Sequence, residues 1–473
     1  MLQSTPTEGK SLSILLDMPL AFLGFALWRA WVSLSYANPP LPLPVNEAVG
    51  HFLYDVFLAI FALAIALLSK QIAPLAGRRA TYPAIALLLG LSSAANVIAL
   101  DNPALAQTLA LPAAVAAGAG SALLILLWCE IYSCLNPIRA ALYYALSFMG
   151  GVALTYLLEG FRDGYLYGAL VALPLLSAAL AHRAYGRYIP DAERPQHAAR
   201  RLVPWKFFLV LALFDVASGY CVAQIDPALG GVIGPHSTLT TLAAALVLFV
   251  WVWYFSDRFP LSTLYRTPII LICFGMLLPP LFGLGGTAVG SFLVVFGSTL
   301  FGALVFLFFC DICKRFGVSA LLLFGIEEAL VMLSWVGNTE ARLLSNTGIL
   351  GEAGPAVGAV ILVVLIAVVA ALVLNEREIG ERWGIVFLGK RPPEETERTR
   401  LTRRCAELAE ERHLTARETE VLELLARGKS LSGVAQELVI AEGTAKAHTR
   451  HIYEKVGINT RQELLDLLVV EQR

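Results

Sequence analysis

The chain has 473 residues, of which 57% are hydrophobic and only 15% are charged. A soluble globular domain carries about 25% charged residues, so the composition excludes a single water-soluble domain. The formal net charge of −1 averages two unlike regions. Apolar runs fill residues 12–374 and charged residues crowd into 375–473, which predicts a membrane domain followed by a water-exposed tail.

Twelve apolar segments account for most of the first 374 residues. A membrane-spanning helix needs about 20 apolar residues to cross about 30 Å of hydrocarbon. Prolines and glycines occur inside several segments, and membrane helices tolerate them. We therefore predict an all-α membrane domain whose transmembrane helices cover residues 12–36, 48–69, 81–100, 106–132, 137–158, 164–186, 205–225, 235–256, 264–284, 286–311, 317–338 and 354–374.

Basic loop residues indicate the orientation of these helices. Lysines and arginines collect on the side of the membrane that holds both chain ends, whereas the loops of the other side carry only Arg162 and Arg342. Cytoplasmic loops are enriched in Lys and Arg, so both termini are expected in the cytoplasm. We therefore expect a multi-pass protein of the inner (cytoplasmic) membrane whose tail lies in the cytoplasm.

Ionisable residues inside the predicted spans are candidate ligand contacts, because such a charge costs about 2.5–3.5 kcal/mol to insert. Arg29 lies in the first span, and His51 and Asp55 share one face of the second at a similar depth. We predict a buried Arg29–Asp55 pair with His51 beside it, and Trp28 and Tyr54 as aromatic walls. Alternatively, these charges only tie helices together or line a water-filled cavity. Further candidates near mid-membrane are Asp215, Glu327 and Glu328.

The longest loop between spans, at about 187–204, follows the sixth predicted helix. It divides the membrane domain, residues 1–374, into two halves of six helices each, at about 1–186 and 205–374. Two short loop sequences occur at equivalent places in these halves, after the second and eighth spans.

The first of these loops contains "GRR", from Gly77 to Arg79, and the other contains "SDRF", from Ser256 to Phe259. Together with the division into six plus six helices, they resemble the repeated cytoplasmic loop motif of the major facilitator superfamily. The resemblance implies that family's fold. The first trace lacks the motif's acidic residue and the second is followed by Pro260, and these departures favour a sensor over a transporter.

A charged connector, residues 375–411, follows the last span. Pro392 and Pro393 interrupt it, and residues 394–411 have the pattern of a charged helix. A thin apolar stripe of Leu401, Cys405 and Leu408 could form a short dimer helix. So few apolar positions favour a solvated connector.

The tail, residues 412–473, carries the start and stop signals of four helices. Thr415 and Glu418 have the spacing of a capping box, and apolar residues follow at helical spacing. Ser430 can cap a second helix, and Gly457 can end the third in a left-handed conformation. The residues that repeat the capping-box spacing before the fourth helix are Thr460 and Glu463.

The third helix of the tail has a basic face. Ala445, Ile452 and Val456 share the opposite face and are predicted to pack inward, which leaves Lys446 and Arg450 projecting outward. Long cations can reach base edges, and a small neighbour allows close approach to the groove. Alternatively, this is an ordinary solvated face. The predicted DNA contacts are Lys446, Ala447 and Arg450 for bases, and Thr444, His451 and Lys455 for phosphates.

The stretch "LTARETEVLELLARGKS" with "VAQELVIAEGTAKAHTRHIYEKVGINTRQEL" resembles the LuxR/FixJ-type helix-turn-helix. The resemblance covers about 60 residues, 412–471. It implies a four-helix DNA-binding domain, with base-reading residues that fall on Lys446, Ala447 and Arg450. Ala441 departs from the Ser that often caps the family's recognition helix. In this family the fourth helix commonly makes the dimer contact, which the resemblance places at Leu464, Leu465 and Leu468.

The combination predicts a membrane-embedded one-component transcriptional regulator that senses a small molecule. Its expected partners are double-stranded DNA, an unknown small-molecule ligand, the lipid bilayer and RNA polymerase, with homodimer formation on DNA. No cofactor or enzymatic activity is predicted, because no nucleophile–base spacing, metal cluster or nucleotide loop stands out. The alternative is a major-facilitator-type transporter with an appended regulatory DNA-binding domain.

Overall fold

In the computed structural model the chain forms two compact units, Met1–Leu388 and Gly389–Arg473. Both are helical, and the described residues contain no β-strand. The all-α prediction is therefore confirmed over this part of the chain. The structure describes residues 19–37, 39–190, 203–224, 238–255, 261–347, 351–373, 404–405, 408–409, 411–412, 414–426, 429–438, 441–458, 460 and 463–464.

The membrane unit has an apolar helical segment at each of the twelve predicted spans. Nine of the described segments are long and apolar enough to cross a membrane, and the first, eighth and ninth are shorter. The N-terminal half contains α1 (Phe25–Val32), α2 (Pro44–Leu67), α3 (Thr81–Asp101), α4 (Ala104–Ser133), α5 (Pro137–Glu159) and α6 (Asp163–Tyr188). The C-terminal half contains α7 (Trp205–Val222), α8 (Thr238–Phe255), α9 (Leu261–Phe316), α10 (Ala320–Leu330), α11 (Leu333–Thr347) and α12 (Gly354–Val373).

Helix α9 is a run of 56 helical residues that contains two predicted spans. Residues 15 positions apart on a straight helix are separated by about 22 Å. A Cβ atom added to Gly275 would nevertheless lie 2.7 Å from the carbonyl oxygen of Gly290. Helix α9 therefore folds back on itself, and its two parts, Arg266–Pro279 and Gly286–Lys314, are neighbouring spans.

The two halves repeat one packing pattern. In the N-terminal half α1 packs against α5 and α6, and α3 also packs against α6. In the C-terminal half α7 packs against α11 and α12, and α9 also packs against α12. Helices α7, α9, α11 and α12 therefore take the places that α1, α3, α5 and α6 have in the first half. This internal repeat agrees with the predicted division into six plus six spans.

Helices of the two halves meet at several places, of which two are the most extensive, and α4 also packs against α9 and α10. Helix α2 packs against α10, and α5 packs against α8. Gly325 allows the close approach of α10 to α2, because a Cβ atom at this position would lie 2.7 Å from the carbonyl oxygen of Ala62. A larger residue would push the halves apart at this point.

Hydrogen bonds hold the loop after α2, which contains the "GRR" sequence. Arg78 donates a hydrogen bond of 2.7 Å from Nε to the carbonyl oxygen of Ile72. Glu130 of α4, only 2% exposed, accepts a hydrogen bond of 2.8 Å from the amide of Ala76. These contacts fix the loop against α4. The second predicted loop sequence, Ser256 to Phe259, lies outside the described residues.

The C-terminal unit contains α13 (Ala416–Ala426), α14 (Leu431–Glu437) and α15 (Glu442–Val456). The predicted capping box before α13 is confirmed: the Thr415 amide donates to Glu418 Oε2 at 2.8 Å, and the Glu418 amide donates to Thr415 Oγ1 at 3.3 Å. Ser430 caps α14 by accepting a hydrogen bond of 3.2 Å from the Gly433 amide. These local signals set where the helices begin.

The C-terminal unit has its own hydrophobic core, and part of the predicted connector belongs to it. Cys405 is 0% exposed and Leu408 is 5% exposed, and both pack in the same core as Val421 and Leu425. The prediction of a solvated connector is wrong at these two positions. Removal of these two apolar side chains from water is favourable, and they are three residues apart, so both can pack in the core. Leu401 and residues 374–403 lie outside the described part of the chain.

Candidate functional sites

Helix α15 presents one face to the core of the C-terminal unit. Ala445 and Ile452 are 0% exposed and Val456 is 5% exposed, as the helical spacing predicts. The helix ends at Gly457, whose φ of 80° is the left-handed conformation expected of a C-terminal glycine. At the other end, Ala441 occupies the N-cap and provides no side-chain hydrogen bond. The helix is thus firmly packed but has an incomplete cap.

The outer face of α15 presents the three predicted base-reading residues. Lys446, Ala447 and Arg450 are all exposed. Arg450 Nε lies 3.3 Å from Glu454 Oε1, and both side chains are largely exposed. Exposed ion pairs of this type contribute about 0–1 kcal/mol, so Arg450 can exchange Glu454 for a base or phosphate at little cost. The face is therefore sterically open to a DNA groove.

The three predicted phosphate contacts have different environments. Thr444 and His451 are exposed beside the basic face. Lys455 instead forms an ion pair within the domain, with its Nζ 2.7 Å from Glu418 Oε2. The ammonium group of Lys455 is therefore engaged in joining α15 to the start of α13. This contact argues against the phosphate role that the sequence predicts for Lys455.

Glu418 takes part both in the capping box of α13 and in the ion pair with Lys455. Its side chain is 6% exposed. Burial would raise the pKa of Glu418, but the hydrogen bonds from Lys455 and Thr415 outweigh burial and lower the pKa to about 2. The carboxylate is thus charged at neutral pH and fixes α13 to α15.

A surface groove runs beside the basic face. Its volume is about 540 Å³, and Lys446 and Arg450 line it together with the start of α14. The hydroxyl groups of Ser430 and Ser432 lie on this side and are 3.0 Å apart. The sequence analysis assigned Ser430 only as a cap and missed Ser432. Hydroxyl groups near a helix start are typical phosphate contacts, so their position before α14 was the available signal.

The predicted dimer contacts are only partly within the described residues. Leu464 is 0% exposed and packs in the hydrophobic core of its own domain. A side chain that is fully buried in one domain cannot contact a second copy, so the prediction is wrong for Leu464. The helical pattern places it on the inward face of the fourth helix. Leu465 and Leu468 lie outside the described residues.

Arg29 of α1 is half-buried and has no direct polar partner among the residues that the structure describes. It makes neither a hydrogen bond nor an ion pair with any residue in the described ranges, and its Cζ lies 4.4 Å from the ring centroid of Phe148. The predicted Arg29–Asp55 pair is therefore wrong. Helix α1 packs against α5, where Gly151 admits it so closely that an added Cβ would lie 2.7 Å from the Cβ of Arg29. The side chain consequently follows α5 rather than α2.

Asp55 has partners from both halves of the membrane unit. Its Oδ1 lies 3.5 Å from His51 Nε2, and its Oδ2 accepts a hydrogen bond of 2.9 Å from Trp335 Nε1. The structure thus brings His51 and Asp55 together, as their spacing of four on one helix predicts. The sequence analysis missed Trp335, because nothing in the sequence links an indole on α11 to a carboxylate 280 positions earlier.

Trp28 and Tyr54 form hydrogen bonds within the N-terminal half. Trp28 Nε1 and the Tyr54 hydroxyl group both donate to Ser121 Oγ of α4, at 3.4 and 3.1 Å. The Tyr54 ring also stacks on Tyr36, with centroids 4.2 Å apart. Their polar atoms have internal partners, so any ligand contact would use the ring faces.

Three acidic side chains lie together in the C-terminal half. Asp215 of α7 and Glu327 and Glu328 of α10 interact electrostatically with one another. None of them makes a hydrogen bond or an ion pair with a residue that the structure describes. Glu328 also interacts with Arg29, although no ion pair joins them. Arg29 therefore interacts with Glu328 of the other half, and it forms no ion pair with Asp55.

Tyr144, which the sequence does not indicate as a site residue, also interacts with these charged groups. Tyr144 of α5 interacts electrostatically with Glu327, Arg29 and Glu328. Its ring stacks on Phe306 of α9, with the centroids 4.2 Å apart. Tyr144 occurs in an apolar run, where a tyrosine gives no distinctive signal.

The free space next to Arg29 is small. The cavity measures about 20 Å³ and includes Phe148 and Thr155 of α5 and Thr241 of α8 in its lining. This volume suffices for about one water molecule. Because α5 and α8 belong to different halves, the cavity lies at the junction of the two halves.

In the C-terminal unit, the short helix α14 is followed by α15, which has an exposed basic face. This order of elements is that of a helix-turn-helix DNA-binding domain. A family model described as bacterial regulatory proteins, luxR family, matches residues 412–468. The spore germination protein GerE of Bacillus subtilis is 41% identical over 56 residues, which are 12% of this chain and 76% of GerE. Through this domain the chain belongs to the luxR family of bacterial regulatory proteins.

Other relatives match over the same domain. The probable transcriptional regulatory protein NarL of Mycobacterium tuberculosis is 46% identical over 48 residues, which are 10% of this chain. The match covers 22% of NarL, so the chain spans about a fifth of the length of that relative. The common part is the DNA-binding domain, and it supports DNA binding by this chain.

The membrane unit is similar to solved transporter structures. A bacterial homologue of the iron transporter ferroportin, in the outward-facing state, has a TM-score of 0.50 and 11% identity, covering 76% of this chain and 99% of that structure. The major facilitator superfamily transporter FucP, in the outward conformation, has a TM-score of 0.49 and 13% identity, covering 75% of this chain. The likeness to the ferroportin homologue concerns the fold alone. With its two six-helix halves, the membrane unit has a major-facilitator-like fold.

Proposed function

We propose that this chain is a membrane-embedded one-component transcriptional regulator. Its membrane unit binds a small molecule, and its luxR-family domain changes transcription in response. The observation that carries the proposal is the union, in one chain, of this DNA-binding domain with a helical unit that contains ionisable side chains with no hydrogen bond or ion pair to the described residues. Such side chains are expensive to bury in a membrane and mark functional sites.

On the DNA side, Lys446, Ala447 and Arg450 read bases in the major groove, and Thr444 and His451 contact phosphates. The domain is nearly charge-balanced, so its non-specific affinity is modest and it depends on dimer formation. Two recognition helices must lie about 34–36 Å apart to read paired half-sites. We propose that the DNA-bound dimer then contacts RNA polymerase.

On the membrane side, the loop charges support an inner-membrane protein with both termini in the cytoplasm. The membrane domain extends to about residue 374 and the DNA-binding domain to residue 473. Because Cys405 and Leu408 belong to the core of the C-terminal unit, the free connector ends before Cys405. The ligand must favour one arrangement of the halves, and a tenfold preference corresponds to about 1.4 kcal/mol.

The DNA-reading face can be tested in cells and with purified full-length protein. Lys446→Ala and Arg450→Ala should each weaken operator binding by about tenfold or more, because a good base contact is worth about 1–3 kcal/mol. Arg412→Ala removes an exposed cation of the same domain that is not part of α15 and is the matched control. Unchanged regulation in the double variant Lys446→Ala with Arg450→Ala would mean that the reading face lies elsewhere.

A transporter with an appended regulatory domain is the second candidate, and the major-facilitator-like fold is the observation that favours it. Membrane vesicles that contain the full chain distinguish the two functions. Uptake of the inducing compound that depends on Asp215 or Glu327 would support transport. Induction without uptake would support the sensor.

A further inference from the structure

The cavity at the junction of the two halves brings a cation together with several hydroxyl groups. Arg29 of α1 lines it, with Ser33, Thr155 and Thr241 among its neighbours. A guanidinium group has five N–H donors and no acceptor. Within the described ranges, none of these donors makes a hydrogen bond or an ion pair, and Glu328 acts on Arg29 only through its charge. Arg29 can therefore donate to an acceptor from outside the chain.

Two of the three hydroxyl groups in this lining can also donate. Thr155 Oγ1 already donates a hydrogen bond of 2.9 Å to the carbonyl oxygen of Gly151. The side chains of Ser33 and Thr241 make no hydrogen bond with the parts of the chain that the structure describes. Thr241 is nevertheless only 6% exposed. A buried hydroxyl group without a partner costs free energy, so this position favours an acceptor inside the cavity.

Helix packing fixes these groups around one space. Helix α5 packs against α1 of its own half and against α8 of the other half. Gly151 admits α1 so closely that an added Cβ would lie 2.7 Å from the Cβ of Arg29. The ring centroid of Phe148 lies 4.4 Å from Arg29 Cζ. An aromatic face stabilises a positive charge but provides no oxygen acceptor, so the N–H donors still require one.

The charge and the size of the cavity limit what can occupy it. Its described lining contains one cationic side chain, three hydroxyl groups and no acidic group. A cation is excluded because the guanidinium group of Arg29 would repel it. The volume of about 20 Å³ admits a group of about the size of one water molecule. These properties fit a small anionic group.

We propose that this cavity binds a monovalent anionic group, held by Arg29 of the N-terminal half and Thr241 of the C-terminal half. This inference rests on the sensing role proposed above and specifies the charge of the ligand. The group is either the carboxylate of a small organic acid or a free halide ion. Both accept charge-assisted hydrogen bonds, which are about twice as strong as neutral ones. The bound anion contacts both halves, so its affinity depends on their arrangement.

Three small probes test the class of ligand and its source. They are sodium formate, formamide and sodium chloride; formate and formamide have nearly the same shape, and only formate is charged. Each is added to the full-length protein in detergent micelles, with sulfate as the counter-ion of the buffer. The midpoint of thermal unfolding is then measured against probe concentration, because a molecule that binds the folded state raises it. We expect a saturable rise with formate or with chloride, and none with formamide.

The source of the anion follows from the same titrations. A rise at lower concentration with formate assigns the site to a carboxylate. A rise at lower concentration with chloride assigns it to a free halide ion. Both results support an anion site.

A charge-removing variant tests the position of the site. Arg29→Gln should weaken the apparent affinity for the anion about tenfold or more, because it removes the cation and most of the donors. Arg183→Gln, at an exposed arginine of α6, is the matched control and should keep the response of the unmodified protein. The comparison also removes the general effect of salt on stability, which both variants share.

Two substitutions of threonine by valine test the hydroxyl donors. Thr241→Val should weaken the apparent affinity about fivefold or more, because it removes a donor to a charged acceptor. Thr155→Val is the matched control, since the hydroxyl group of Thr155 already donates to Gly151. Both valines keep the shape of the cavity lining. If Arg29→Gln does not fold, this pair still tests the site.

The remaining outcomes contradict the proposal. Equal rises with formate and formamide, or no saturable rise with either anion, would exclude an anion site. Equal responses of Arg29→Gln and the unmodified protein, or of Thr241→Val and Thr155→Val, would exclude the position. The proposed function is tested separately by a transcriptional reporter. Induction by a cationic or uncharged compound would reject the anionic class and leave the sensing role intact.

Discussion

Trp335 donates a hydrogen bond of 2.9 Å to Asp55, and this bond joins α11 to α2 across the two halves of the membrane unit. The acceptor is 9% exposed and has His51 at its other oxygen atom. A hydrogen bond to a charged group contributes about 1.5–3 kcal/mol. The bond therefore favours the arrangement in which these ends of α2 and α11 stay together, and a ligand that separates the halves must overcome it.

Trp335→Phe should loosen this junction while it keeps the aromatic contact with Phe52, whose ring centroid is 5.0 Å from that of Trp335. Loss of about 1.4 kcal/mol would raise the population of the separated arrangement about tenfold. We expect faster amide hydrogen exchange in α2 around Asp55 and in α11 around Trp335. Mass spectrometry of the full chain in detergent measures this exchange segment by segment.

The matched control for this variant is Trp205→Phe, which makes the same substitution at a side chain that is 59% exposed. It should leave exchange in α2 and α11 unchanged. Identical exchange in Trp335→Phe and the unmodified protein would indicate that the bond to Asp55 does not hold the halves together.

Glu418 makes the stability of the DNA-binding domain depend on pH. The pKa of Glu418 is lowered to about 2 in the folded domain, against an ordinary value of 4.5. Between pH 2 and 4.5 the Glu418 carboxyl group binds a proton in the unfolded chain but not in the folded domain. The stabilisation of the fold by ionised Glu418 is therefore complete above pH 4.5 and is lost as the pH falls towards 2. We expect the free energy of unfolding to decrease over this range, as measured by urea unfolding of residues 389–473.

Glu418→Gln provides the comparison, because it keeps the shape of the side chain and removes the charge. Its free energy of unfolding should be lower at neutral pH and should change less between pH 4.5 and 2. The isolated segment is suitable for this measurement, since it has a separate core and the match covers 76% of the relative GerE. Parallel pH profiles for the two proteins would contradict the assigned role of the Lys455–Glu418 pair.

Features that depend on neighbouring residues could be predicted from the sequence. The twelve apolar segments, the capping box at Thr415 and the left-handed Gly457 are local, and the structure contains them, with three of the described segments shorter than a full span. The inward and outward faces of α15 follow from helical periodicity alone. For the same reason Lys446 and Arg450 could be placed on the exposed face.

Features that depend on how helices pack could not be predicted. The sequence predicts that Arg29 and Asp55 lie at the same depth in the membrane. Equal depth does not determine which helices are neighbours, and α1 packs against α5 and α6. The short stripe at Cys405 was too weak to indicate a core, because its partners in α13 come later in the chain. The sequence pattern gives Lys455 as an exposed cation, and only the distance of its ammonium group to Glu418 identifies the ion pair.

The burial of Leu408 predicts where the DNA-binding domain begins. A protein that starts at residue 412 lacks Cys405 and Leu408 and leaves a gap in the core. Removing a buried leucine side chain costs about 2–5 kcal/mol. We expect residues 412–473 to be less stable than residues 389–473, and Leu408→Ala in the longer segment to be destabilised by an amount in this range. Urea unfolding of the three proteins gives the comparison.

Glu411→Ala is the control for this series, because its side chain is 68% exposed and lies close to Leu408 in the chain. It should change stability by no more than about 0.5 kcal/mol. Equal stabilities of the short and long segments would show that the connector residues add nothing to the core.

The uncapped start of α15 offers a stabilising substitution. Ala441 has extended backbone angles, φ −66° and ψ 145°, which suit a capping residue, and it provides no side-chain oxygen. Ala441→Ser should therefore raise the stability of the domain by about 0.5–2 kcal/mol, because its hydroxyl group can accept a hydrogen bond from the first turn. Ala447→Ser, in the exposed interior of the same helix, should have a small effect of opposite sign. Thermal unfolding of residues 389–473 measures both. Equal effects of the two serines would mean that the gain does not come from capping, and that the N-cap position has another way to satisfy its backbone amides.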